Sequence, residues 1–192
     1  VSEFRTVINE KPEFVEGYTR LAEAHILSQQ IELAADTLNR ALEISPNNKA
    51  VRKALAKVYV LKKDYHTAKA QLLKILANDP DDHKARAELG DLYFLDKNFS
   101  GAEIEYKTIN QKAPDISIGY IKLGRLYAKQ KKWTEAITIL ETAFRAHPQS
   151  LALLSNLIGL YIIREKFALA ILTCENHIRQ NPDDVIAYYL LG

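Results

Sequence analysis

The sequence predicts an all-α solenoid, a file of antiparallel helical hairpins, and three observations carry that prediction. The six prolines, Pro12, Pro46, Pro80, Pro114, Pro148 and Pro182, each stand 34 residues from the next. Two columns keep the same register without exception: Leu21, Leu55, Leu89, Leu123 and Leu157, then Ala34, Ala68, Ala102, Ala136 and Ala170. Around these columns the apolar residues recur at spacings of three and four, which places them on one face of a helix. A fixed period of this length marks units that bury their apolar faces only by stacking on their neighbours.

With each proline set as residue 32 of its unit, the chain divides as follows. Residues 1–14 are the end of a preceding repeat, 15–48, 49–82, 83–116, 117–150 and 151–184 are full repeats, and 185–192 start a sixth. Val1 to Asn9, with Phe4 and Val7 at positions 24 and 27, reads as the second helix (B) of a hairpin whose first helix (A) lies before it. In each full repeat, helix A follows the proline turn, with Asp, Asn or Ser as cap candidates, and carries apolar positions 4, 7, 8 and 11. Helix B follows a short polar turn and carries positions 17, 20, 24 and 27. Alanine at position 20 lets the two helices lie close, because a leucine there overpacks at a cost of about 1–3 kcal/mol.

The repeats differ in ways that matter locally. Position 11 is His25, Tyr59, Tyr93, Tyr127 and Tyr161, and position 17 is Ile31, Tyr65, Phe99, Trp133 and Phe167. Ile158 replaces a small residue at position 8, while Ile75, Ile109 and His177 replace alanine at position 27, so wider helix spacing is expected at those levels. Val185 to Gly192 reads as helix A of the sixth unit. Neither end carries a polar capping helix, and the expectation is an internal piece of a longer array or one whose ends other chains cover.

This pattern resembles the tetratricopeptide repeat: large residue, Leu, Gly or Ala, Tyr, then Ala, aromatic, Ala and Pro over a 34-residue period. The third repeat carries it as Leu89, Gly90, Tyr93, Ala102, Tyr106 and Pro114, and the fourth as Tyr120, Leu123, Gly124, Tyr127, Ala136, Ala143 and Pro148. The resemblance covers the whole chain and implies a right-handed superhelix whose A helices line a concave groove. One departure recurs: the turn position usually given to glycine is Gln29, Lys63, Lys97, Lys131 and Glu165.

Composition excludes several other classes. The formal charge of +2 is far from the strongly basic face of a nucleic-acid binder, so no nucleic-acid partner is expected. No apolar run approaches the 18 or so residues of a membrane span, and no N-terminal targeting pattern is visible, though the chain begins at Val1 without a methionine. The single cysteine, Cys174, excludes an internal disulfide framework and fits either cytoplasm or periplasm. There is no GxSxG, no phosphate-cradling glycine loop, no HExxH and no CxxC, so no catalytic residue, metal or cofactor is assigned. His25, His177 and Cys174 occupy packing positions, and His66, His83 and His147 fall near turns of three different repeats.

Candidate binding residues are those that helix A carries without the repeat needing them. The resemblance implies that positions 2, 5, 6, 9, 12 and 13 touch a ligand. The candidate set is Glu23, Ile26, Lys53, Lys57, Val60, Lys84, Glu88, Asp91, Phe94, Ile121, Lys122, Arg125, Asn156 and Ile162. Position 9 alternates in sign through Glu23, Lys57, Asp91 and Arg125, which reads either as a ladder of ion pairs between repeats, each contributing about 0–1 kcal/mol, or as a charge code for an extended ligand. Position 12 is apolar throughout (Ile26, Val60, Phe94, Ala128, Ile162), and position 13 adds Leu27, Leu61, Leu95 and Ile163, either packed beneath the turn or open to a partner.

Two known ligand modes of such domains do not fit. The C-terminal carboxylate clamp takes Lys and Asn in one repeat, Asn in the next, and Lys and Arg in the third, whereas this chain has Lys53 and Lys57, then Glu88, then Ile118 and Lys122, and Glu88 repels a terminal carboxylate. An asparagine ladder has only Asn156. The A-to-B turns form a basic edge (Lys62, Lys63, Lys97, Lys129, Lys131, Lys132, Arg164, Lys166), and the opposite turns an acidic one, a distribution that either complements the helix dipole or recruits an anionic partner or membrane surface. The expected function is a non-catalytic scaffold that binds a protein or peptide segment in the A-helix groove. The alternatives are self-assembly through uncapped ends, or an accessory module of an enzyme or envelope polysaccharide machine.

Overall fold

The computed structural model describes residues 2–191, and every regular element among them is an α-helix. Val1 and Gly192, the outer residues of the two expected partial repeats, lie outside the described residues. The A helices are α2 (Val15–Leu27), α4 (Lys49–Leu61), α6 (His83–Leu95), α8 (Ser117–Lys129), α10 (Leu151–Ile163) and α12 (Val185–Leu191). The B helices are α1 (Ser2–Glu10), α3 (Ile31–Ile44), α5 (Tyr65–Asn78), α7 (Phe99–Lys112), α9 (Trp133–Ala146) and α11 (Phe167–Gln180).

The chain forms two compact units, Val1–Asp96 and Lys97–Gly192. In the first, each helix from α1 to α6 packs on the next, and α2 also touches α4. In the second, α7 to α12 pack in the same succession, with α8 on α10 and α10 on α12. Within a unit, therefore, A helices also meet one another, α2 with α4 in the first and α8, α10 and α12 in succession in the second.

Local chemistry sets the helix ends. Asn48, Asp82, Ser150 and Asp184 cap α4, α6, α10 and α12 by accepting from the backbone N–H three residues on, at 3.1, 2.8, 3.4 and 3.1 Å. Asp64 and Asn98 do the same for α5 and α7. Phe14 and Ile116 stand at the cap positions of α2 and α8 and supply no side-chain bond. After each full A helix the chain reverses through one left-handed residue: Gln29, Lys63, Lys97, Lys131 and Glu165, with φ between 55° and 60°. The following N–H then reaches back to the position-11 carbonyl, as in Asp64 to Tyr59 (2.9 Å), Lys132 to Tyr127 (2.9 Å) and Lys166 to Tyr161 (2.8 Å). That closure holds non-glycine residues in a conformation that costs them about 1–2 kcal/mol each.

The core follows the columns. Ala34, Ala68, Ala102 and Ala136 are fully buried and Ala170 nearly so, which permits the close A–B approach. Gly124 shows how tight it is: a Cβ there lies 3.0–3.2 Å from three atoms of Leu140 on the facing helix. One repeat later the partners exchange size, with Ile158 at the glycine's position and Cys174 at the leucine's, both buried in one cluster. The smaller cysteine across the hairpin offsets the volume that Ile158 adds. Ile75, Ile109 and His177 are likewise buried at position 27.

Candidate functional site: the A-helix face and a slot between α4 and α6

None of the fourteen candidate residues is buried. In the first unit the charged ones are sorted by their neighbours. Glu23 pairs with Arg20 of its own helix at 3.3 Å, and Arg20 also reaches Glu16 at 3.4 Å. Lys53 lies 3.5 Å from Asp82 and 3.9 Å from Glu88 on the next A helix. Beside it, Lys49 reaches Asp79 at 3.0 Å and Asp82 at 2.6 Å. Burial alone raises the Asp82 carboxyl, but Lys49, the Ala85 N–H and Lys53 outweigh it and hold the group down at about 2. Lys57 and Lys84 are exposed and make no ion pair among the described residues.

The alternating charges of position 9 thus do not form the ladder that the sequence allowed. Glu23 turns to its own helix, and Lys57 and Arg125 have no ion pair among the described residues. Pairs between repeats arise at other positions: Lys53 with Glu88 at 3.9 Å, Lys62 with Glu32 at 2.7 Å, and Lys69 with Asp96 at 2.8 Å. Of the basic edge, Lys62 is neutralised in this way, and Lys132 and Arg164 lie over the rings of Tyr127 and Trp133 at 6.0 and 5.3 Å.

Position 13 is open. Leu27 is 86% exposed, Leu61 55%, Leu95 49% and Ile163 61%, so these side chains do not pack beneath the turn. Position 12 is half-buried at Ile26, Val60 and Phe94 and exposed at Ile162. Where α4 and α6 diverge, the openness produces a slot of about 210 Å³ lined by Ala56, Lys57, Val60, Leu72, Glu88, Asp91, Leu92 and Leu95. It brings together four candidates, Lys57, Val60, Glu88 and Asp91. Ala56 and Leu72 were not among the candidates because positions 8 and 24 read as core, and Leu92, at position 10, belonged to neither the core nor the candidate columns. Position 10 carried a signal for Leu92, being Val58, Leu92, Leu126 and Leu160 in successive repeats.

In the second unit, Ile121 leans on the core of α8 to α11, Lys122 is half-buried and Arg125 is exposed. Asn156 donates one amide N–H back to the Ala152 carbonyl at 2.8 Å. A larger hollow, about 610 Å³, lies between the B helices α9 and α11 over a floor of Leu157 and Tyr161. There the Tyr161 hydroxyl donates to Glu141 at 2.6 Å, and burial, then this carboxylate, push the phenol up. His177 is buried at its rim, with Nδ1 3.1 Å from the Pro148 carbonyl and Nε2 2.9 Å from Asp184. A counterpart of about 280 Å³ lies in the first unit among Tyr18, His25, Thr37 and Arg40.

Among the described residues, no group of three or more His, Cys, Asp or Glu could hold a metal ion. Nor, among those residues, is any helix long and apolar enough to cross a membrane. Cys174 is buried, and burial pushes its thiol up, the environment of a core residue.

Two models of one family, the tetratricopeptide repeat, match the chain, one over residues 1–58 and the other over 53–115 and 121–185. Among curated proteins none matches it. Among solved structures, a tetratricopeptide repeat protein from Parabacteroides merdae is similar with a TM-score of 0.68 at 17% identity, over 91% of this chain and 70% of that one. YrrB, described as a TPR protein with an unusual peptide-binding site, gives 0.57 at 19% identity over 97% and 96% of the two chains. PilF of Pseudomonas aeruginosa gives 0.63 at 20% identity over 92% and 80%. At such identities the likeness shows the fold. With the family models matching well over half of its residues, the chain belongs to the tetratricopeptide repeat family, a family of protein-interaction scaffolds.

Proposed function

We propose that this chain binds a segment of a partner protein along the face formed by its A helices, and performs no catalysis itself. The observation that carries the reading is the slot between α4 and α6. It is an apolar hollow with charged residues at its mouth, on the face where the repeat has no packing use for Lys57, Glu88 or Asp91. Exposed Leu61 and Leu95 extend the apolar surface beside it. Binding pockets combine apolar walls with a few placed polar groups in this way. The family's groove-binding habit, and the peptide-binding site named for YrrB, support the same reading.

The proposed contacts in the first unit are Glu23, Ile26, Lys53, Lys57, Val60, Lys84, Glu88, Asp91 and Phe94. Those in the second are Ile121, Lys122, Arg125, Asn156 and Ile162. Selection of binders from a random linear peptide library, followed by footprinting of each complex by amide hydrogen exchange, tests the assignment. Protection on α4, α6, α8 or α10 is expected, with binding weakened by Phe94→Ala or Lys57→Glu. Protection confined to the B helices overturns it.

A second reading, self-association, is favoured by one observation. Leu169, Ile171 and Leu172 on α11 are all exposed apolar side chains. Light scattering over a concentration series is expected to show a rising mass that Leu172→Lys abolishes. A mass constant with concentration rules this reading out.

A further inference from the structure

We infer that the slot between α4 and α6 receives one large apolar side chain of the partner segment, and that a carboxylate close by on the same segment pairs with Lys57. The inference rests on the proposed A-helix binding face and specifies its ligand.

Size and polarity define the anchor. A hollow of about 210 Å³ holds one leucine- or phenylalanine-sized group, since a cavity of roughly 150 Å³ takes a benzene. Its floor and walls are Ala56, Val60, Leu72, Leu92 and Leu95, and its charged groups sit only at the mouth. A polar anchor loses its water there and gains no hydrogen bond, whereas an apolar one covers Leu95 and Val60.

Charge decides what flanks the anchor. The two walls carry opposite signs, Lys57 on α4 and Glu88 with Asp91 on α6. Glu88 already has Lys53 at 3.9 Å, and Asp91 also has an interaction within the chain. Lys57 has no such partner among the described residues and is exposed at the slot's edge. The unanswered charge is therefore positive, and its complement is a partner carboxylate rather than a lysine or arginine reaching for Glu88. At an exposed position such a pair decides which charge the segment carries more than how tightly it binds.

The test uses four acetylated and amidated twelve-residue peptides that differ at two places: Leu or Gln at the anchor, and Glu or Lys two residues on. Each is titrated into the full chain and followed by amide NMR shifts. The Leu–Glu peptide is expected to bind most tightly and to shift Ala56, Lys57 and Leu92. Gln at the anchor is expected to weaken it by about tenfold or more. Lys57→Glu, at an exposed site that leaves the fold intact by circular dichroism, reverses the Glu-over-Lys preference. If the wild-type chain prefers the Lys peptide, or no peptide shifts the slot, the inference is overturned. Shifts at other A-helix residues in that case leave the proposed function standing, while shifts confined to B helices remove both.

Discussion

At the scale of single residues, the turn after each A helix is where this chain departs most from its own regularity. Lys63 and Lys131 sit at φ 60° where glycine has no steric penalty, yet the backbone closure around them is intact. Glycine relieves about 1–2 kcal/mol of left-handed strain and returns part of that as unfolded-chain entropy. Lys63→Gly or Lys131→Gly is therefore expected to raise stability by about 0.5–1 kcal/mol in urea unfolding; a loss of stability would mean that the lysine side chain itself holds the turn. Asp82 makes a pH argument of the opposite kind. Its folded carboxyl lies at about 2, below its ordinary 3.8, so the stabilisation is fully present above pH 4 and is lost as pH falls toward 2. Discounted for the half-exposed Lys49, this contributes about 1–2 kcal/mol at neutral pH. Asp82→Asn is expected to remove that amount at pH 7 and to flatten the acid limb of the stability curve. An unchanged acid limb would place the acid sensitivity elsewhere.

At the scale of elements, each hairpin is set by the pair of side chains at positions 8 and 24. Within the two units, three repeats set a small residue at position 8 and a large one at position 24 (Ala22 with Leu38, Ala56 with Leu72, Gly124 with Leu140), and the fifth has Ile158 with Cys174. Ile158→Ala leaves a cavity that costs about 2–4 kcal/mol, and Cys174→Leu overpacks at about 1–3 kcal/mol. The double substitution restores the arrangement of the other repeats, so its cost is expected to fall well below the sum of the two. Additive costs in thermal or urea unfolding would show that the two positions do not share one volume. The sequence made this element legible only in part. Ile158 was visible as a departure from the small-residue column, but its compensation lies sixteen residues away across the hairpin, where a cysteine reads simply as core. The open position-13 leucines were ambiguous for a related reason: periodicity assigns a side chain to a face and does not say whether the turn beyond it closes over that face.

At the scale of the whole molecule, the helix order and the pairing of helices were legible from a 34-residue period, because that period fixes both helix lengths and the turns between them. The slot was only half legible. Lys57, Val60, Glu88 and Asp91 came from columns the repeat does not need, while Ala56, Leu72 and Leu92 serve the core and the slot at once, which no pattern of exposure distinguishes. The same nearest-neighbour construction has a consequence for how the fold responds to damage. Within the first unit, α3 packs on α2 and α4, and the chain of contacts continues to α6 only through α4 and α5. In such a lattice, stability is a sum of hairpin and neighbour contributions, and disturbance decays with the number of interfaces crossed. Leu38 is fully buried in α3. Leu38→Ala removes about 2–5 kcal/mol at that site. In native-state hydrogen exchange, protection is expected to fall most in α2, α3 and α4 and least in α6. Equal loss in all six helices of the unit would show one cooperative core, and binding at the slot would then stabilise α2 and α3 as much as α4 and α6, the helices that line it.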